Sequence, residues 1–467
     1  MAIMRKNLFL LLFLGLIFRI FISFQTFSGD VTNHMIWGED AVRNGFSGFY
    51  DRNFEKLYGH TSANYPPLII LIFALLYQVK NWIYQLAWFL NLHVPVFPSN
   101  LIYFLQNFNY FPYLLKLPAI LADIGIAYIS YLLIKKINDK NRSISNIVSI
   151  LVLFNPAYFY NSAYWGQIDS IPLFFVLSSF YYLIFRSKTV LSWGLFTLGL
   201  LSKQTAIIFA PLFLITQYVI RNEVKNPTPV KSVRNKNLRT SIINSAFIFW
   251  LFFLPFYKTG NIITFPLSIY LNKILLVSGI PYTSNHAFNF WYLLTGSRAT
   301  LASKIFLFSL SYEIWGYMIV GVLSLFILIR LICHSCLIAP RSPNNEAAFR
   351  MVFSIKVFYA GCLLSLASFL FLTKIHERHL ILALPFLLIA SIKNKYLLIS
   401  YLFISLFSFV NMYHNWWSPK FPVLKNILQS DIFLKIITLT LIQVFVLLLF
   451  KYMKLSKSKA AKNVSQE

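Results

Sequence analysis

Residues 65–97 read YPPLIILIFALLYQVKNWIYQLAWFLNLHVPVF. The run is apolar enough to cross about 30 Å of hydrocarbon at about 1.5 Å per residue, and whether it does so sets the topology of everything after it. Gln78, Lys80, Asn81 and Gln85 interrupt its middle. Counting it as a span would also carry the basic segment at Lys135, Lys136, Lys140 and Arg142 to the outer face, against the tendency of short basic loops to stay in the cytoplasm. Its Trp and Tyr residues suit the membrane interface, so the run is expected to lie there as juxtamembrane helices.

The composition agrees with a membrane setting. Apolar residues make up 58% of the 467 positions and aromatics 18%, with a mean hydropathy of +0.65, outside the soluble range. A net charge of +27 could serve nucleic acid, but the cations fall in short clusters between apolar runs, with no basic domain. They read as topology signals, and no nucleic-acid partner is expected. Cys333, Cys336 and Cys362 form no paired framework. The spacing Cys-His-x-Cys at 333–336 lacks a fourth metal ligand.

Arg5 and Lys6 precede a first apolar run with no small-residue cleavage site after it, so it is expected to be retained as a helix. Further basic clusters lie at Arg186 and Lys188, from Arg221 to Arg239, at Arg330, Arg341 and Arg350, at Lys393 and Lys395, and from Lys451 onward. Placing these in the cytoplasm gives about twelve helices, near 7–27, 114–134, 146–163, 170–186, 190–201, 205–220, 241–257, 313–332, 352–373, 380–392, 396–412 and 433–452. The expectation is an all-α, polytopic, single membrane domain over 1–467, with both termini cytoplasmic. Residues 28–113 then form a first external loop with juxtamembrane helices, 258–312 a second external loop, and 453–467 a basic cytoplasmic tail. The helices 190–201 and 205–220 are short and meet at Lys203, a break that membrane depth tolerates only where it lines a cavity.

On this topology the unusual polar groups gather on the outer side. Five of the 14 acids, Asp30, Glu39, Asp40, Asp51 and Glu55, fall in the first external loop. Gln167 and Asp169 sit in a short outer turn, Lys203 at the helical break, and HERHL at 376–380 opens a helix from outside. Charges near a bilayer are costly unless paired or hydrated, so each is a functional candidate. HERHL admits three readings. His376, Glu377 and His379 could ligate a metal, although the spacing is not that of zinc proteases. Glu377 could simply favour a helix start. Arg378 with the histidines could bind a phosphate. Asp30 could be a helix N-cap or a catalytic acid. Glu39 and Asp40 form an acidic step about 14 Å further along such a helix, and Arg19 could snorkel or face the bundle interior.

An ordered series of motifs carries a resemblance. GDVTNHMIWGEDAVRNG (29–45) is followed by GFYD (48–51), NYPPLIILIFALL (64–76), KLPAILADIG (116–125), NPAYFYNSAYWGQIDS (155–170), LLSKQTAIIFAPLFL (200–214), SNHAFNFW (284–291) and KIHERHLILALPFLLIA (374–390). Together they resemble polytopic GT-C glycosyltransferases, in particular bacterial relatives of the GPI and dolichol-phosphate-mannose-dependent mannosyltransferases. The resemblance implies a large outer loop after helix one whose first acid, Asp30, is the base. It implies a polyprenyl-phosphate sugar donor held by Arg378, His376, His379 and Lys203, and a lipid or glycan acceptor. Gln167, Asp169, Asn285, Trp291 and Tyr65 are the expected substrate-binding positions, and Glu39, Asp40, Glu377 and Arg19 are further candidates. The chain departs from some relatives in ending soon after helix twelve, and it has no clear Asp-x-Asp in the outer loop. No cofactor is expected, a divalent cation being the less favoured alternative. The expected function is hexosyl transfer, mannose favoured, to a lipid-linked or cell-envelope acceptor at the outer face of a bacterial plasma membrane. A polysaccharide ligase or polymerase, and a lipid or solute transporter, are the rivals; broken helices and intramembrane charges also mark transporters, but no internal repeat is found.

Overall fold

An apolar run can satisfy its backbone polar groups without water by coiling into a helix, and helices account for nearly all of the regular secondary structure among the described residues. The computed structural model describes residues 2–138, 142–222, 230–277, 280–338 and 345–454. In order these are α1 (Ala2–Ser23), α2 (Gly29–Arg43), α3 (Phe54–Tyr58), α4 (Pro67–His93), α5 (Asn100–Asn107), α6 (Phe111–Ile137) and α7 (Arg142–Leu153). Next come α8 (Pro156–Phe159), α9 (Ser170–Arg186), α10 (Thr189–Ser202), α11 (Ala210–Asn222), α12 (Val230–Phe253), α13 (Phe265–Ile269) and α14 (Phe290–Thr295). The last are α15 (Tyr312–Ile338), α16 (Glu346–Phe371), α17 (Leu384–Ala390), α18 (Lys395–Trp416), α19 (Pro422–Leu428) and α20 (Asp431–Lys454). The described strands are β1 (Ile305–Leu307) and β2 (Leu310–Ser311), an antiparallel pair with Leu307 opposite Leu310.

Among the described residues, eight helices are long and apolar enough to cross a membrane, or nine if the bent pair 143–153 and 156–165 is one span. Residues 8–23, α9 and α10 are shorter apolar helices. This is an all-α chain whose long apolar helices point to an integral membrane protein. Each of the twelve expected segments falls on helical structure, although 380–392 covers the end of a tight 3₁₀ stretch, Glu377–Ala383, and the buried α17. Lys140, Arg341, residues 223–229 of the basic 221–240 segment and the tail beyond 454 lie outside the described residues.

Residues 67–93, expected as interfacial helices, form one unbroken helix, α4, whose length and composition would let it cross a bilayer. Its contacts place it differently from the neighbouring bundle helices. Gly38 and His34 of α2 pack on Phe73, and the Arg43 side chain donates to the Tyr77 hydroxyl at 3.1 Å, so α4 runs beside α2. Lys80, midway along α4, already stands over Phe111, the first residue of α6, and the Tyr110 hydroxyl donates to the Lys80 carbonyl at 2.8 Å. The second half of α4 therefore passes beyond the start of α6, and it exposes Trp82, Leu86, Phe89 and Leu92.

Two apolar clusters hold the molecule. The larger joins α6, α7, α9, α11, α16, α17, α18 and α20; the smaller joins α2, α4, the start of α6 and the end of α12. Between them lie polar ties. Arg19 is fully buried and donates to Asp123 at 2.9 Å and to the Leu153 carbonyl at 2.6 Å. Asp123 also accepts from Ser162 and Ser170. Arg19 thus faces the bundle interior, and a buried ion pair held by this many hydrogen bonds locks α1 to α6 and α9. Lys116 points its ammonium at the carbonyls of Ser23, Thr26, Ala163 and Tyr164. That fixes the chain leaving α1 against the π-helical turn Tyr160–Trp165. Gly166 closes this turn at φ +88, and a Cβ there would meet Val31 Cγ2 at 2.4 Å, so only glycine lets α2 come this close.

Candidate functional site

Four segments distant in sequence converge where α2 begins. Asp30 lies in the first turn of α2, whose N-cap is Ser28 with no side-chain capping bond. The Asp30 carboxylate instead accepts from the Gln167 amide at 2.5 Å and lies 3.5 Å from Arg378 Nη1. Gln167 and Asp169 come from the turn that follows Gly166, where the π-turn cannot continue as helix. Lys203 comes from the break between α10 and a 3₁₀ stretch, Gln204–Phe209; its backbone is extended, with φ −158 and ψ 139. Arg378 comes from Glu377–Ala383, which His376 enters in extended conformation.

The charges interlock. Lys203 Nζ is 2.5 Å from Asp169 Oδ1, and Arg378 Nε is 3.7 Å from Asp169 Oδ2. Arg378 Nη1 is also 3.5 Å from Glu377 Oε1, and its guanidinium stands 5.9 Å over the Trp165 ring. Tyr65 lies under the Lys203 ammonium at 5.5 Å and meets Arg378 as well. Three carboxylates thus face the Lys203 ammonium and the Arg378 guanidinium. The Asp169 and Glu377 side chains are fully buried, whereas that of Asp30 is 40% exposed. Buried polar atoms there without a hydrogen-bond partner among the described residues include Gln167 Oε1, Asp169 Oδ2, Glu377 Oε2 and Arg378 Nε. In a buried site such atoms are costly unless a ligand or water meets them.

Burial opposes charge on Asp30, but Arg378 and the Gln167 hydrogen bond outweigh it and hold the carboxyl below its ordinary value. Burial is likewise overcome at Asp169, where Lys203 and then Arg378 hold the carboxyl well down. At Glu377 the same happens through His376 and Arg378. Burial pushes His376 and His379 down, Arg378 adding to it for the first and Lys203 for the second, so both rings are neutral at neutral pH. His34, one turn after Asp30 and stacked on Phe73, is pushed down to about 3 by burial, although Asp30 opposes this. The site thus sets three carboxylates against two basic side chains, of which Lys203 is pushed down by burial although Asp169 opposes this.

Asn285 sits behind the histidines. Its amide is 3.3 Å from His376 Nδ1, and its oxygen accepts from Arg298 Nε at 2.5 Å. Trp291 is elsewhere: it is fully buried, donates to the Phe371 carbonyl and packs against Phe306 and Tyr312. Asp40 is also apart, bound to Arg52, Tyr58 and Asn44. Glu39 pairs with Arg43 one turn on. Arg19 is committed to Asp123 below the site. His34 and Trp165 were not among the expected positions. His34 follows Asp30 at i+4, a spacing that puts both on one helix face; Trp165 adjoins Gly166 within a motif already singled out. Among the described residues no group of three His, Cys, Asp or Glu side chains is arranged to hold a metal. A separate cavity of about 480 Å³ lies between α4 and α5, lined by residues such as Asn81, Gln85, Gln106 and Tyr110 and by none of the converging charges.

Compared with models of protein families and with curated proteins, the chain matches none. The arrangement itself offers a partly exposed carboxylate 3.5 Å from a buried guanidinium, with a second basic side chain behind and aromatic walls. Such a site can take a proton from a hydroxyl and stabilise a departing anion.

Proposed function

We propose that the chain is a membrane glycosyltransferase of the GT-C type that moves a hexose, mannose favoured, from a polyprenyl phosphate to a lipid-linked or cell-envelope acceptor. One observation carries the reading. Of the three clustered carboxylates, only Asp30 is substantially exposed, and it lies 3.5 Å from the guanidinium that would meet the donor phosphate. In the reaction the acceptor hydroxyl gives its proton to Asp30 while its oxygen forms the new bond to the sugar C1. The C1–O bond to the phosphate breaks, and the polyprenyl phosphate leaves with the electron pair. Arg378 then stabilises the oxygen on which charge grows, with His376 and His379 beside it, while Lys203 keeps Asp169 ionised behind Arg378.

The outer face of a bacterial plasma membrane is the proposed setting, with Asn285, Tyr65 and Gln167 shaping the substrate site and no metal required. The break at Lys203 within a helical region is the feature that favours a transporter instead. Incubating the reconstituted protein with radiolabelled polyprenyl-phosphate sugars and candidate acceptors, with and without chelator, separates these. Label appearing in a new glycosidic bond, unaffected by chelation and lost in Asp30→Asn, is the expected result. Label crossing the bilayer still attached to its original lipid would replace the transferase with a carrier.

A further inference from the structure

A second cationic cluster lies at the opposite end of the bundle. Helix α16 ends at Phe371, seven residues before Arg378, and Lys356 lies fifteen residues earlier, about 22 Å along the helix. Lys356 is only 7% exposed, and it makes no hydrogen bond or ion pair among the described residues. Its ammonium stands 5.8 Å from the ring of Tyr452, in the last turn of α20. The next residue, Met453, accepts from Arg330 of α15 at 2.9 Å through its carbonyl. One turn beyond Arg330, neither ring nitrogen of His334 has a hydrogen-bond partner among the described residues. The nearest acid along α16, Glu346, is already paired with Arg350.

A lysine drawn this far from water, with no counter-ion among the described residues, is costly to keep charged, and an anion is the simplest remedy. The flanks of the cluster show what kind. Val322, Leu325 and Ile329 of α15 and Leu447 and Phe450 of α20 are exposed apolar side chains that continue from the cations along the bundle wall. We propose that Lys356, Arg330 and His334 bind the headgroup phosphate of an anionic glycerophospholipid, with its acyl chains lying along α15 and α20. Basic pockets between helices at the cytoplasmic end of a bundle suit such headgroups. This inference rests on the membrane reading and not on sugar transfer.

The test uses full-length protein in nanodiscs of phosphatidylcholine doped with phosphatidylglycerol, with bound lipid counted by native mass spectrometry after detergent extraction. The wild type should retain phosphatidylglycerol over phosphatidylcholine. Lys356→Met, which keeps the stem and removes the charge, should weaken that preference about fivefold, the worth of about one basic contact; Lys356→Arg should keep it. Equal retention of the two lipids by the wild type, or an undiminished preference in Lys356→Met, overturns the proposal. Millimolar inorganic phosphate abolishing the preference would assign the cluster to a small soluble anion and overturn the lipid. A Lys356→Met protein that fails to fold leaves the wild-type comparison and Lys356→Arg to decide.

Discussion

The side-chain amide of Gln167 donates to the carboxylate of Asp30 at 2.5 Å, joining residues 137 positions apart. The bond fixes the exposed acid against the turn that carries Asp169, so the base and the ion pair behind it are positioned by one segment. Removing the charge but keeping the shape tests this directly. Asp30→Asn retains an oxygen for Gln167 and loses an acid in a first helical turn, so stability should change by about 1 kcal/mol or less. Sugar transfer should fall at least about a hundredfold. Thermal melting and a turnover assay on the same preparation check both, and normal turnover would remove Asp30 from the chemistry.

Arg378 touches Asp30, Asp169 and Glu377 at once. A lysine offers a point charge without the planar fork. Arg378→Lys should therefore lower turnover at least about tenfold and raise the apparent donor KM, because both charge-assisted contacts and their geometry are lost. Steady-state kinetics at varied donor would show it; unchanged values would place the phosphate elsewhere.

Lys203 is matched to Asp169 within the interior. Lys203→Met leaves that carboxylate buried beside Arg378 alone, and the loss of stability should be about 3–5 kcal/mol. The double variant Lys203→Met with Asp169→Asn should recover a large part of it. Melting of the three proteins decides, since recovery is not expected if Lys203 acts only on substrate.

Acid should weaken the fold through His34. Its folded pKa is about 3, against 6.5 for an unperturbed histidine. Between these values the unfolded chain holds a proton that the native state does not, so stability falls as pH drops through this window. The slope is at most about 1.4 kcal/mol per pH unit. His34→Gln should flatten the decline between pH 6 and pH 4 without abolishing it, because burial depresses His376 and His379 as well. An unchanged melting profile would mean that His34 is charged in the native state.

Composition and basic clusters made the helices legible, because apolar length and Lys/Arg position are local properties that survive folding. The break at Lys203 was legible too, from two apolar runs too short to stand alone. The convergence of Asp30, Gln167, Asp169, Lys203 and Arg378 was foreseen only as residues on a common side. Their pairing was not, since it depends on Gly166 letting α2 approach the turn and on how α10 stops at residue 203. Trp291 looked equivalent to Asn285 in sequence, yet the two diverge: Asn285 reaches His376, and Trp291 turns into an aromatic core. Asp40 was a lesser candidate than Asp30 in sequence, and Arg52, Tyr58 and Asn44 close around it. Residues 67–93, expected as interfacial helices, form one helix long and apolar enough to cross a bilayer, because an interfacial helix and a spanning one can share a composition.

The balance of three carboxylates against two basic side chains has a kinetic meaning for the proposed reaction. A lipid phosphate reaching Arg378 must compete with Asp30 for the same guanidinium nitrogen. Once the phosphate takes that place, Asp30 loses a neighbour that depresses its basicity and becomes a better proton acceptor. Loading the donor would thereby arm the base, and an acceptor arriving first would meet an acid still neutralised by its own protein. Such a site favours a compulsory order of addition, donor before acceptor.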